Sequence, residues 1–239
     1  MTLSRVSRLA TFGGLFAADI AATLNDCWLA STMLSMAYVE PWWPISRFST
    51  GNVTLDRNSA ALLNLSSATI TLTPRNSPNF THEFKTSYLD SRAIPYSTAD
   101  EHWWPAAVES AVWAFGNSTS QPTILMDGGR PADGLYLLTG YDANFTPKGT
   151  PATTLFTRMQ RAMDSPVLLT TSSQGTKYLQ AWHIYAVLAA VIDSTGKKQV
   201  ALRNPLKVGA GGDWYDLDTI FNDIENIVWL PGGQNGPNQ

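Results

Sequence analysis

Charge and cysteine are scarce in this 239-residue chain. Charged residues make up 15%, and there is one cysteine, Cys27. Globular proteins usually carry about a quarter of their residues charged. A single thiol excludes an internal disulfide and every metal site built on several cysteines. No stretch of 18 uninterrupted apolar residues occurs, so no membrane span is expected. The formal net charge of −3 supplies no field for a polyanion, and no nucleic-acid partner is expected. Of the three histidines, His82 and His102 show no metal-ligand spacing, and "HEFKT" lacks the second histidine of a zinc protease. The glycine-rich stretches "VGAGGDWYD" and "DGGRPADG" do not follow the strand-to-helix pattern of a phosphate loop.

What remains is ample material for a core. Hydrophobic residues make up 44% and there are nine tryptophans. The length allows one compact unit or two small lobes. The pairs Trp42-Trp43 and Trp103-Trp104 read as packing. Five N-x-[ST] sequons, at Asn52, Asn64, Asn79, Asn117 and Asn144, point to a secretory route. The opening "MTLSRVSRLATFGGLFAADIAA" loosely resembles a signal peptide. Cleavage there would strip the segment leading into Cys27, so we read it as part of the folded chain.

The patterning predicts an α+β protein. "CWLASTMLSMAY" (27–38) has helical spacing behind Asn25 or Asp26 as N-cap. Residues 61–73 read as strand, and 74–100, rich in Pro, Asn and Ser, as mostly loop. "WWPAAVESAVWAFG" (103–116) and "TTLFTRMQRAMDS" (153–165) read as helices. "SPVLLTTSS", "AWHIYAVLAAVID" and "KQVALRNP" read as strands, the last two joined by the turn "STGK". The expected division is a helical N-terminal lobe (1–145), an antiparallel β C-terminal lobe (146–231) and a disordered tail (232–239).

Hairpin pairing brings His183, near the start of one strand, and Asn204, near the end of the next, to the same end of a sheet. Cys27 begins a helix, where a thiol pKa is lowered. Cysteine, a histidine base and an asparagine that orients it form a known nucleophilic set. Each residue also has a plain reading: a buried filler thiol, a core histidine, and a strand-ending Asn before Pro.

The surrounding words separate these readings. "DIAATLNDCWLASTM", "WWPAAVESAVWAFG" with "MDGGRPADGLYLLTG", "HIYAV" and "ALRNPLKVGAGGDWYD" follow one another as four blocks. In order and spacing, from about residue 15 to 230, they resemble the calpain family of papain-like cysteine proteases. The resemblance implies a two-lobe core and peptide hydrolysis through an acyl-enzyme. Cys27 would be the nucleophile and supply an oxyanion donor through its backbone N–H. His183 would be the general base and then acid, with Asn204 orienting it. Asp26, Trp28 and Trp214 would support the site. The substrate would be a protein or peptide, and the compartment cytoplasmic by resemblance.

Two positions depart from the family pattern. The glutamine that donates to the oxyanion is replaced by Ala21, and the tryptophan that shields the His–Asn bond by Leu206. Asp216 matches a calcium ligand of the calcium-regulated members, but "GAGG" lacks the accompanying glutamate, so no cofactor is expected. Two functional readings follow: a cysteine endopeptidase, and a catalytically impaired pseudoprotease that binds a peptide or protein partner.

Overall fold

The computed structural model describes residues 26–39, 46–50, 53–54, 67–85, 104–118, 128–207 and 211–231. It is a mixed α+β protein whose sheets are antiparallel. Helix α1 (Cys27–Val39) comes first. It is followed by β1 (Phe48–Thr50), β2 (Val53–Thr54), β3 (Ser67–Leu72) and β4 (Phe80–Lys85). These form a four-stranded sheet in the order β2-β1-β3-β4. Helices α2 (Trp104–Ser118) and α3 (Pro131–Thr139) complete the first part.

A six-stranded sheet then forms, in the order β5-β10-β6-β7-β8-β9. Its strands are β5 (Asn144–Pro147), β6 (Val167–Thr171), β7 (Ile184–Ile192), β8 (Lys198–Arg203), β9 (Asp213–Asp216) and β10 (Ile224–Trp229). Helix α4 (Ala152–Met159) continues into a 3-10 turn, Gln160–Met163. Helix α5 (Leu217–Ile220) links β9 to β10 through a second, Phe221–Asp223.

Both faces of the large sheet are covered, which explains why β7 reads as a nearly continuous apolar run. Ile184, Ala186 and Leu188 face a core built with α1, α2, α3 and the small sheet. Tyr185 and Val187 face a second core with Leu155, Phe156, Met159 and Ile220. A register shift between Val187 and Ala189 then exchanges the faces, so that Ala190 joins the second core. An extra residue in one strand has this effect because side chains alternate with period two.

Several expectations need correction. The first part is not simply helical, since it carries the small sheet. Within the stretch expected to be loop, Phe80–Lys85 is a strand paired with β3 along its whole length. Its alternation buries Phe84 fully, and the flanking Pro and Asn residues form only the turn. Residues 86–100 lie outside the described residues, as do 61–66 and the tail 232–239. The lobe boundary placed at residue 145 falls inside β5, which already belongs to the large sheet through its pairing with β10. Helix α3 and strands β5, β9 and β10 had no sequence-based expectation.

Candidate active site

Helix α1 is buried along nearly its whole length, from Trp28 to Ala37. A helix enclosed on all sides must satisfy its polar side chains locally. Thr32 Oγ1 donates to the Trp28 carbonyl at 2.7 Å. Ser31 Oγ donates to the Ile184 carbonyl at 2.7 Å, while Ser35 Oγ accepts from Val167 N at 2.9 Å. Cys27, Ser31 and Ser35 are spaced four apart and share one face. That face lies against the starts of β6 and β7, which seats the first half of the helix against Ile184, the residue after His183. The i, i+4, i+8 spacing of small polar residues in the sequence is the signal that marks this face.

Trp28 holds the same end from the other side. A Cβ on Gly129 would lie 2.3 Å from Trp28 Cε2, and one on Gly134 would lie 2.7 Å from Thr32 Oγ1. Gly128, just before, has φ +83. Of the "GG" pair, one glycine serves the backbone and the other the close approach.

The helix start concentrates donors on the thiol. Backbone N–H groups of Ile184, Trp28 and Cys27 itself all point to the Cys27 sulfur. Burial nevertheless pushes the thiol above its ordinary value, and the Asp26 carboxyl pushes it the same way. Asp26 lies immediately before the helix, and its carbonyl accepts from Leu29 N and Ala30 N at 2.8 and 3.0 Å. Its side chain does not act as the expected cap. It is fully buried, and no N–H or hydroxyl donor among the described residues reaches either oxygen. Its hydrogen-bond partner is the buried carboxyl of Glu109 on α2, so the pair shares a proton. Burial raises the Asp26 pKa to about 6, with that bond working the other way. Asn25, the other cap considered, lies outside the described residues.

The histidine side is built from the large sheet. His183 immediately precedes β7 and Asn204 immediately follows β8, as the hairpin spacing requires. Nε2 of His183 and Oδ1 of Asn204 are 2.8 Å apart. The same Oδ1 accepts from Leu206 N at 2.9 Å. A backbone N–H can only donate, so this atom of the amide is the oxygen. His183 therefore donates through Nε2–H, and in the neutral ring Nδ1 is left as the acceptor. The ring is 4% exposed and packs edge-on against Tyr185 at 4.9 Å. Burial lowers its pKa, and the Asn204 bond opposes that.

The backbone at His183 is bound on both sides. Its N–H donates to Thr171 Oγ1 at 2.9 Å, and its carbonyl accepts from Thr171 N at 3.0 Å. The loop before it is held by the buried Asp223, which accepts from Lys177 N, Tyr178 N and Leu179 N at 2.9, 2.7 and 2.8 Å. Burial alone would raise the Asp223 pKa, but the three donors keep it below the usual value. No sequence signal marked Asp223 or Thr171, because both act across the sheet.

Trp214 is exposed on β9, opposite Ala201. Asp216 caps α5 by accepting from Asp218 N at 2.9 Å, and it pairs with Lys197 at 3.7 Å. Among the described residues no group of three or more His, Cys, Asp or Glu side chains could hold a metal ion. No described helix is long and apolar enough to cross a membrane. Leu206 is exposed beside Asn204, and Ala21 lies outside the described residues. The structure thus brings His183 and Asn204 into contact and seats Cys27 against the residue after His183. Compared with known proteins, the chain matches no family model and no curated protein.

Proposed function

We propose that this chain is a calpain-like cysteine endopeptidase with a papain-like two-lobe core. The observation that carries the reading is the His183–Asn204 bond, whose polarity is set by Leu206 N–H, together with a helix-start cysteine seated against Ile184, the residue after His183. In this reading the Cys27 proton passes to His183 Nδ1 as the sulfur attacks the peptide carbonyl. The carbonyl oxygen takes up charge and accepts from the Cys27 N–H. His183 then gives the proton to the departing amine. Water, deprotonated in turn by His183, hydrolyses the thioester and restores the thiol. The raised thiol and lowered imidazole pKa values both favour the uncharged pair at rest. Proton transfer then accompanies substrate attack instead of preceding it. With Ala21 in place of a side-chain donor, the rate falls by roughly 10²–10³.

A second reading, a pseudoprotease that holds a peptide or protein without cleaving it, is favoured by the same neutral thiol and by Ala21. Intact-mass labelling of Cys27 by a peptidyl epoxide separates the two. For a peptidase, labelling at about pH 6 falls by about 10²-fold or more in His183→Ala. Equal rates in both proteins, rising only above about pH 8, would leave an ordinary thiol and sink the peptidase reading.

A further inference from the structure

Trp182 stands immediately before His183 in a conformation that a bulky residue rarely adopts. Its φ is +54, in the left-handed region. An L-residue with a Cβ is strained there, because Cβ crowds the following carbonyl oxygen. Three neighbouring bonds hold it in place. Trp182 N donates to the Ser172 carbonyl at 3.2 Å, and both backbone groups of His183 are bonded to Thr171. Strain of this kind persists where the surroundings over-determine it, and it clusters at ligand-contacting positions. The side chain gains no packing in return, since Trp182 is 79% exposed. A single exposed tryptophan is ordinary on a protein surface, as at Trp113 and Trp214; what sets Trp182 apart is that its large apolar ring is joined to a strained backbone next to a buried histidine.

The chemistry of the site says which side of a substrate would meet it. The histidine that gives its proton to the departing amine lies on the leaving-group side of the scissile bond. Trp182 is its chain neighbour. On the other bonded partner's strand end, Leu206 is also exposed, at 45%. The two exposed apolar residues thus lie one residue from His183 and two from Asn204 along the chain, the pair joined by the 2.8 Å bond.

We infer that Trp182 is a specificity-determining residue whose indole receives an apolar side chain from the residue just after the scissile bond. This rests on the peptidase reading above.

Acyl transfer to added amines tests this without knowledge of the natural substrate. Cys27 is acylated with benzyloxycarbonyl-glycine p-nitrophenyl ester, which releases p-nitrophenol. An amino-acid amide then occupies the leaving-group side. Its nitrogen attacks the thioester carbonyl, the C–S bond breaks as the C–N bond forms, and the amine proton returns through His183 to the sulfur. Leucinamide and glycinamide are compared in competition, and the ratio of the two products is read, not the rate. We expect leucinamide to be preferred by about 10-fold or more in the wild type. In Trp182→Gly, a substitution that also relieves the positive φ, the ratio falls to within about 2-fold of unity, and Trp182→Phe retains most of the preference. An unchanged ratio in Trp182→Gly overturns the assignment of Trp182 and leaves the peptidase reading standing. A p-nitrophenol release that is the same in wild type and His183→Ala overturns both.

Discussion

The two halves of the candidate site are built in opposite ways. On the histidine side the groups that orient the ring have partners: His183 with Asn204, Asn204 with Leu206 N–H, and the His183 backbone with Thr171. Asp223 takes three N–H donors from the preceding loop. On the cysteine side the carboxyl beside the thiol, Asp26, is buried and meets a second buried carboxyl, Glu109. The difference teaches that orientation and reactivity are handled separately. A ring that must present one nitrogen in one direction is surrounded by fixed donors and acceptors. The thiol instead sits close enough to the Asp26 carboxyl for that charge to be felt.

Breaking the satisfied side gives the largest expected effect on stability. Asp223→Ala leaves three backbone donors without their acceptor and lowers unfolding free energy by about 3 kcal/mol, read from urea denaturation at pH 7. The pH dependence has a definite sign. The folded pKa of Asp223 is depressed, so its contribution is whole above the unfolded value of 3.8 and is lost as pH falls through the folded one. The wild type therefore loses this increment in acid, and the variant has none to lose. Equal midpoints for the two proteins at pH 7 would mean the loop is held by something else.

The seat of α1 is the next contrast to test. Gly129→Ala puts a methyl group into the Trp28 indole and lowers stability by about 1–3 kcal/mol, measured by thermal unfolding. Because Trp28 follows Cys27, the same variant shifts the thiol against Ile184 and changes the rate at which iodoacetamide labels it. A variant as stable as the wild type would show that Trp28 can move aside.

The smallest effect has the opposite sign. The folded pKa of Asp26, about 6, lies above its ordinary 3.8, so the folded state binds this proton more tightly than the unfolded one. Stability then declines as pH rises through that interval and stays reduced above it. Asp26→Asn removes the penalty and lets an amide donate to Glu109. We expect a gain on the order of 1 kcal/mol at about pH 8 and none near about pH 4, by urea denaturation at both. A loss at pH 8 would mean the buried charge is held by a partner of its own.

Much of this was legible beforehand where the information is local. The α1 start, the β7–β8 hairpin and the meeting of His183 with Asn204 follow from periodicity and from a turn of known length. Helix α2 is described from Trp104 and runs on to Ser118, two beyond Gly116, while the expected first residue, Trp103, lies outside the described residues. Strand β4 was hidden because its Pro- and Asn-rich flank outweighed a six-residue alternation. The pairing of β10 between β5 and β6 joins segments far apart in sequence, and no local pattern encodes it.

By itself, then, the sequence determined the types and spacings: one cysteine at a helix start, a histidine and an asparagine on adjoining strand ends, and glycines where Trp28 needs room. The tertiary structure alone decided protonation and direction. Which histidine nitrogen donates depends on Leu206 N–H. The resting state of the thiol depends on burial and on the charge of the adjoining Asp26 carboxyl. The exposure of Trp182 depends on three bonds reaching from β6 and from the residue after it. These are properties of distance and solvent, and one-dimensional order carries neither.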